Sequence, residues 1–402
     1  MKALARVPAW AWVTLILLSG LVLRLNGLTS TPAPTQNRDE LAWAWAGQSL
    51  IQDHSPSSWS YLSSYGTGDT RATFDGTIMP YVHPWLDHPP LFALLVGGVA
   101  IAAGENTPAS VTPGVIRLIP IVASLVTILL LFALASRLVG RRWALLAVVL
   151  FAFSPWMIEM SHAVEAESIL APMLLGALLL VDRKGKRALA GLVAICLLAP
   201  LVKVVGVTIG ATVAVLFLLR RHWARSALSG AAGLAGVGLY WLYGFAINRA
   251  QFLAVWHAQS TRHASALAAG WQFLTSTVAS LGGFIPLHDP LWFAGLLAIV
   301  VLVVFRGDMR LAVPVIVYVA VMAVTGADTP VIHSGVVMRQ GNSELTYNSG
   351  WYRITIYPLL YIAIAGIIPR VGSRLSFLPR DGRGVPRLQR RMESLLGQRG
   401  LR

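Results

Sequence analysis

An acidic pair, Asp39 and Glu40, follows the first long apolar stretch of this 402-residue chain. A carboxylate at this position could act as a general base and take a proton from an attacking hydroxyl or amine. A structural role is also open, because Asn37 and Glu40 fit a helix N-cap and its reciprocal partner three residues on. Apolar side chains in residues 41–51 share one helical face, which predicts a helix lying on a bilayer surface.

A second acidic residue, Asp87, stands beside His88 and before two prolines. The prolines open another apolar run, 91–103, and proline suits the first turn of a helix. A turn would account for the prolines but not for an acid beside a histidine, so we expect Asp87 and His88 to bind substrate. The apolar run is short for a membrane span and is expected to be re-entrant or interfacial.

A third group consists of His162, Glu165 and Glu167. We expect His162 to bind substrate. Two carboxylates near a histidine could also hold a divalent cation such as Mg²⁺ or Mn²⁺, with help from Asp39, and Glu165 and Glu167 are then the candidate ligands. The alternative is that these polar side chains only make a short loop soluble in water. The sequence leaves both possibilities open.

Three basic residues interrupt or open apolar stretches: Lys203, Arg117 and Arg353. An ionisable residue in such a place is a functional candidate, although a lysine can also extend its ammonium group to the membrane interface. Arginine matches phosphate geometrically. We therefore predict that Lys203, with Arg117 or Arg353, binds a lipid phosphate.

The elements that must position these side chains are apolar helices. The chain is 56% apolar and 12% charged, whereas soluble domains are about 45–50% apolar and about 25% charged. The composition predicts an all-α polytopic membrane protein, and Cys196, as the single cysteine, excludes a disulfide scaffold. About ten transmembrane helices are expected, at residues 8–28, 117–136, 143–159, 167–181, 188–202, 204–219, 226–246, 290–305, 311–326 and 352–369.

The basic residues set the expected orientation. Most of the 32 Lys and Arg residues fall at the N-terminus, in alternate short connections and in the tail 370–402, which the positive-inside rule assigns to the cytoplasm. Both termini are then cytoplasmic, and the loop 29–116 is the largest extracytoplasmic part of a membrane domain at 1–369. This topology and contact with anionic lipids account for the net charge of +15, so we expect no nucleic-acid partner.

Taken in order, these motifs resemble the GT-C superfamily of polyprenyl-phosphate-sugar-dependent glycosyltransferases. The nearest branch is that of the protein O-mannosyltransferases and the lipid A aminoarabinose transferases. The resemblance covers about residues 8–370 and rests on Asp39-Glu40, Asp87-His88-Pro89-Pro90-Leu91, Arg117-Leu118-Ile119-Pro120, Ser154-Pro155, the stretch from Ser161 to Glu167, and Lys203. It implies a GT-C-like fold whose first extracytoplasmic loop contains interfacial helices. It also implies that Asp39, supported by Glu40, is the catalytic base.

The expected activity is transfer of a hexose or pentose from a polyprenyl-phosphate donor to a lipid, glycan or protein acceptor. The enzyme would lie in the inner or plasma membrane with its active site on the extracytoplasmic side. Direct displacement would invert the anomeric centre. A polytopic transporter or lipid flippase is the competing class, although the sequence has no convincing internal repeat and its polar groups cluster at the outer rim.

Overall fold

The computed structural model describes residues 8–33, 39–66, 71–74, 77–260, 273–274, 288–306, 309–325 and 352–376. This part of the chain is mostly helical. The helices are α1 (Ala9–Leu25), α2 (Asp39–Gln52), α3 (Pro90–Ala102), α4 (Pro113–Ile116), α5 (Leu118–Leu138), α6 (Arg141–Ala152), α7 (Pro155–Met160), α8 (Glu167–Val181), α9 (Lys186–Val202), α10 (Val207–Leu219), α11 (Trp223–Ser260), α12 (His288–Arg306), α13 (Ala312–Thr325) and α14 (Tyr357–Ser376).

Two helical stretches in the described residues are long and apolar enough to cross a membrane, namely Pro113–Leu138 and Trp223–Ser260. Shorter apolar helices correspond to most of the other predicted spans. The number of ten spans therefore stays a prediction. One predicted span, 143–159, is two helices, because the chain leaves helical geometry after α6 and Ser154 caps the start of α7 by accepting a hydrogen bond from the Met157 amide.

A small antiparallel sheet forms in the first loop, which corrects the all-α prediction for this region. Its strands are β1 (Ser58–Trp59), β2 (Arg71–Phe74) and β3 (Thr77–Val82), and β3 is the central strand. Trp59 pairs with Tyr81, and Phe74 pairs with Thr77 across a short connection. The sheet therefore fixes β1 beside the end of α2, with which it is in contact.

Helix α2 forms where the sequence predicts a helix, but it is not a surface helix. All side chains from Glu40 to Ser49 are buried, so burial is not confined to one face. The helix packs tightly on α3 through glycine, because a Cβ at Gly47 would lie 1.8 Å from the carbonyl oxygen of Ala93 and one at Gly97 would lie 2.3 Å from the amide nitrogen of Gln48. The predicted interfacial helix 41–51 is thus a core element.

Helix α11 changes direction at Asn248, where φ is −162° and ψ is 99°. The Asn248 side chain accepts a hydrogen bond from the Gln251 amide at 3.0 Å and so caps the segment that follows. Phe252 then packs against Gly244, where a Cβ would lie 2.1 Å from the ring. Residues 249–260 consequently fold back toward the first loop.

Candidate functional site

Glu40 and Arg117 form a fully buried ion pair that joins α2 to the start of α5. Arg117 Nε lies 2.8 Å from Glu40 Oε2, and Nη2 lies 2.9 Å from Oε1. The guanidinium also donates to the backbone oxygens of Leu28 and Pro32, each at 2.9 Å. Burial raises the pKa of Glu40 to about 7, while the contacts with Arg117 oppose the shift. These contacts make Arg117 a structural group and not an available phosphate ligand.

Asp39, the first residue of α2, lines an open cleft with about 350 Å³ of space. Its helix neighbour Glu40 is turned into the core, so the two adjacent acids have different surroundings. Asn37, the predicted N-cap, lies outside the described residues. The cleft is lined by Asp39, Ala42, Trp43, Trp59, Ser60, Tyr61, Trp85, Asp87, His88 and Gln259.

Asp87 and His88 reach the same cleft and are held in fixed positions. The Asp87 carboxylate accepts hydrogen bonds from Ser60 Oγ at 2.7 Å and from the Tyr65 hydroxyl at 2.6 Å. Burial raises the pKa of Tyr65, and the neighbouring Asp87 adds to the shift. The His88 ring stacks on Trp43, with 4.7 Å between ring centroids and 19° between planes. The structure thus brings Asp39, Asp87 and His88 together from distant sequence positions.

A second cluster forms where the connection before α8 meets the end of α9. Lys203 Nζ lies 2.7 Å from Glu167 Oε1 and 3.9 Å from Glu165 Oε2, and all three side chains are nearly inaccessible to solvent. The same ammonium lies 4.6 Å from the ring centroid of Tyr352. Burial alone would lower the pKa of Lys203, but Glu167, Tyr352 and Glu165 together raise it well above its usual value. The lysine is therefore held as a cation.

Asp39 connects the cleft electrostatically with the cluster formed by Lys203, Glu165 and Glu167. Burial raises the pKa of Glu165 well above its usual value, Lys203 opposes the shift, and Asp39 adds to it. Asp39 is thus a wall residue of the cleft and also a neighbour of the Lys203 cluster. Among the predicted site residues, Asp39 alone both lines the cleft and acts on the charge of the Lys203 cluster.

The residues predicted to bind a metal do not fit one as they are arranged. Within the described ranges no group of three or more His, Cys, Asp or Glu side chains has metal-binding geometry. The ammonium of Lys203 lies next to both Glu165 and Glu167, where a cation would have to sit. The buried Glu165 Oε1 and Glu167 Oε2 have no hydrogen-bond partner in the described part of the chain. Each of these oxygens could accept a hydrogen bond from a further donor, but the positive charge beside them is that of Lys203.

His162 and Arg353 have contacts that differ from the predicted ones. Both ring nitrogens of His162 approach backbone oxygens, at 2.8 Å from Thr31 and 2.6 Å from Arg24, and the side chain is buried. Burial also lowers the pKa of His162. A substrate-binding role for His162 therefore has no support in these contacts. Arg353 is buried, donates from Nη2 to the Phe273 oxygen at 2.7 Å, and lies 4.3 Å from the Trp292 ring centroid.

Sequence reasoning missed several residues of the two regions. Gln259 lies in the folded-back part of α11 and donates from Nε2 to the Asp87 backbone oxygen at 2.6 Å. Nothing in the local sequence indicated this contact, because it depends on the reversal at Asn248. Tyr352 was missed although it precedes Arg353, which was singled out. The aromatic content of the first loop was the available signal for Trp59 and Trp85.

Comparison with known proteins agrees with these features. A family model described as dolichyl-phosphate-mannose-protein mannosyltransferase matches residues 87–248, a range that includes Asp87, Glu167 and Lys203 but not Asp39. No curated protein matches the chain.

Solved structures similar to this chain include two of ArnT from Cupriavidus metallidurans. The apo structure is 18% identical with a TM-score of 0.53, and the match covers 91% of this chain and 62% of that one. The structure bound to undecaprenyl phosphate is 17% identical with a TM-score of 0.54, covering 92% and 63%. The archaeal oligosaccharyltransferase AglB from Archaeoglobus fulgidus, in complex with an inhibitory peptide and a dolichol-phosphate, is 11% identical with a TM-score of 0.50, covering 90% and 51%.

The chain therefore spans less than two thirds of the length of these structures, and at such identities the likeness concerns the fold. The family-model match adds a likeness to dolichyl-phosphate-mannose-protein mannosyltransferases over residues 87–248, which is less than half of the chain. Together they confirm the resemblance predicted from the sequence, which is to GT-C glycosyltransferases that use polyprenyl-phosphate-linked sugars.

Proposed function

We propose that the protein is a membrane glycosyltransferase that moves a sugar from a polyprenyl-phosphate donor to a hydroxyl or amine acceptor, with Asp39 as general base. The observation that carries this proposal is that Asp39 relates to two regions of different chemistry. It lines a cleft with aromatic and carboxylate walls, and its charge acts on Glu165 in the buried Lys203 cluster. A base must reach the acceptor while the acceptor faces the donor, and a residue shared by both regions would meet both needs.

The donor phosphate is assigned to Lys203. This lysine is a buried cation whose nearest partners are Glu167 and Glu165. A lipid phosphate would give Lys203 a further anionic partner, and the ammonium would stabilise the phosphate electrostatically as the leaving group departs. ArnT, which has a similar fold, is known in a structure bound to undecaprenyl phosphate, and this supports a lipid phosphate as the donor anchor. Arg353, next to Tyr352 in the chain, is the second candidate cation.

The proposed reaction is a single displacement. The acceptor oxygen or nitrogen attacks the anomeric carbon, and the bond from that carbon to the phosphate oxygen breaks. Asp39 receives the acceptor proton, and polyprenyl phosphate leaves with the bonding electron pair beside Lys203. A single displacement of this kind inverts the anomeric configuration. Asp87 and His88 line the same cleft and would orient the acceptor.

The protein is proposed to lie in the inner or plasma membrane, with its termini in the cytoplasm and this site on the extracytoplasmic side. The long apolar helices Pro113–Leu138 and Trp223–Ser260 support membrane insertion. A transporter or flippase remains the competing function, because a buried lysine could also accompany a lipid phosphate across a membrane. The two functions differ in whether the bond between sugar and phosphate breaks.

The deciding experiment incubates purified protein in lipid nanodiscs with a panel of polyprenyl-phosphate sugars and measures release of polyprenyl phosphate. Asp39→Asn keeps the shape of the side chain and removes the basic oxygen, so turnover should fall at least about a hundredfold. Asp53→Asn is the matched control, because Asp53 is an exposed acid just beyond the other end of α2, and it should leave turnover unchanged. Near wild-type turnover by folded Asp39→Asn would reject the assignment. Translocation of intact donor in proteoliposomes without bond cleavage would favour the flippase.

A further inference from the structure

The walls of the cleft have a chemical composition that restricts which acceptor can bind there. Aromatic side chains predominate, and Tyr61 is the one with a large exposed fraction, at 39%. Asp39 and Asp87 contribute carboxylate oxygens on the same surface. Among the described lining residues the only aliphatic side chain is Ala42. A lipid acceptor with long acyl chains would therefore find little apolar surface in this cleft.

One hydrogen-bond donor in the cleft wall has no acceptor. The indole N–H of Trp85 is buried and has no hydrogen-bond partner in the described part of the chain. A buried polar group without a partner costs free energy, so such groups are uncommon unless a ligand or water satisfies them. Trp85 is held by edge-to-face contacts with Trp43 and His88, with centroid separations of 5.6 Å and 5.7 Å. Its N–H is consequently a donor in a fixed position that has no acceptor among the described residues.

One common mode of peptide binding does not suit this surface. In that mode an extended peptide adds backbone hydrogen bonds to an exposed strand edge. The strand nearest the cleft is β1, which contains only Ser58 and Trp59 and already pairs with β3. It therefore offers too few backbone groups to hold a peptide in register.

Resting on the proposed function, we infer that the acceptor bound in this cleft is a carbohydrate, with one or two sugar rings packed beside Tyr61 and His88. Aromatic rings contact the apolar face of a sugar, carboxylates accept its hydroxyl protons, and a fixed N–H donates to a ring or hydroxyl oxygen. Gln259, bonded to the Asp87 backbone, closes the wall of this cleft from α11.

The test measures binding separately from transfer. Full-length protein in nanodiscs is titrated by calorimetry with neutral oligosaccharides of glucose, mannose, galactose and arabinose, two to four residues long. A serine- and threonine-containing peptide and a long-chain alcohol are titrated in parallel. We expect saturable binding of at least one saccharide and none of the other two probes. Binding of the peptide or the alcohol with no saccharide bound would overturn the inference.

A matched pair of variants tests the position of the binding site. Trp85→Phe keeps an aromatic ring and removes the N–H, and it should weaken saccharide binding about tenfold, as expected for a lost buried hydrogen bond. Trp223→Phe changes an exposed tryptophan at the start of α11 and should bind like wild type. Equal affinity of Trp85→Phe and wild type would contradict the site. If Trp85→Phe does not fold, Tyr61→Leu is used with the same expectation.

A failure of this inference can be distinguished from a failure of the proposed function. Release of sugar from the polyprenyl-phosphate donor to water needs no acceptor in the cleft. Wild-type protein that hydrolyses the donor but binds no saccharide would retain the glycosyltransferase proposal and reject the carbohydrate acceptor. Protein that binds a saccharide but neither hydrolyses nor transfers any donor would retain the binding site and reject the catalytic proposal.

Discussion

The ammonium of Lys203 lies 2.7 Å from a carboxylate oxygen of Glu167, with the side chain of Glu167 completely inaccessible to solvent. Removing one partner of a buried ion pair leaves an uncompensated charge, which typically costs about 3–5 kcal/mol. Lys203→Met should therefore destabilise the fold by this amount, as measured by chemical denaturation. The double variant Lys203→Met/Glu167→Gln should recover part of the loss, because the charge of Glu167 is then removed as well. Glu165 stays without its cation, but burial already raises the pKa of Glu165, so this carboxyl group can take up a proton.

The double variant also tests the assignment of the donor phosphate. It folds without a cation at this position, so its affinity for a polyprenyl-phosphate sugar should fall about tenfold or more. Lys184→Met, which changes an exposed lysine in the connection between α8 and α9, serves as the control. Unchanged donor affinity in the double variant would remove Lys203 from the site.

Arg117 gives a prediction for the dependence of stability on pH. In the wild type the folded-state pKa of Glu40 is raised to about 7 from a usual value of 4.5. The folded state therefore retains a proton that the unfolded chain releases, and the contribution of Glu40 to stability falls as pH rises from about 4.5 to about 7. In Arg117→Leu that pKa rises further, because burial is no longer opposed by the guanidinium.

The destabilisation by Arg117→Leu should therefore be larger at pH 8 than at pH 5. At pH 5 Glu40 is protonated in both folded proteins, and the main loss is that of the hydrogen bonds made by Arg117. Denaturation curves of the variant and the wild type at both pH values measure the difference. A destabilisation that does not change with pH would contradict the coupling between Arg117 and Glu40.

The packing of α2 on α3 predicts a sharp difference between two glycines. Gly47→Ala would place a methyl group 1.8 Å from the Ala93 carbonyl oxygen, so the helices must separate. Overpacking of this kind costs about 1–3 kcal/mol or more. Gly98→Ala in α3 is the control, because its nearest neighbour would be a side-chain atom of Ile51 at 3.8 Å. The melting temperature of the Gly47 variant alone should fall.

Chelation distinguishes the two hypotheses for Glu165 and Glu167. A metal held by these acids would make turnover sensitive to exhaustive EDTA treatment. Because the Lys203 ammonium already lies beside both carboxylates, we expect turnover to survive chelation and added Mg²⁺ or Mn²⁺ to leave the melting temperature unchanged. Loss of turnover that Mn²⁺ or Mg²⁺ restores would establish the metal hypothesis and would require Lys203 to move away.

The predicted topology can be tested with two introduced cysteines. Ser63 and Lys184 are exposed, and they lie in parts of the chain predicted to face opposite sides of the membrane. The native Cys196 is buried and should not react. In intact cells or sealed vesicles an impermeant thiol reagent should label Ser63→Cys from outside and Lys184→Cys only after permeabilisation. Labelling of both from one side would reject the orientation.

The sequence predicted the helical elements well, because long apolar runs are a local signal. It also selected Asp39, Asp87 and His88, which the fold gathers in one cleft. It did not predict the ion partner of Arg117 or of Lys203, since each pairing depends on how distant helices pack. A cationic side chain at the edge of an apolar run looks the same in sequence whether it pairs with a carboxylate or awaits a phosphate.

The sheet in the first loop and the burial of α2 were also beyond sequence reasoning. The strands are short, and one of them contains only Ser58 and Trp59. Trp43, Leu50 and Ile51 share one face of helix α2, and this pattern favoured a surface helix. Its complete burial follows from the close approach of α3 at Gly47, which depends on tertiary packing.

The reversal of α11 at Asn248 has a consequence for how the wall of the cleft can vary. The match to the mannosyltransferase family model ends at residue 248, where the helix turns back. Residues 249–260 thus follow the shared portion of the chain, yet they supply Gln259 to the wall of the cleft. A change within this segment would therefore alter one wall of the cleft, while Asp39 and Lys203, which lie on other elements, stay in place.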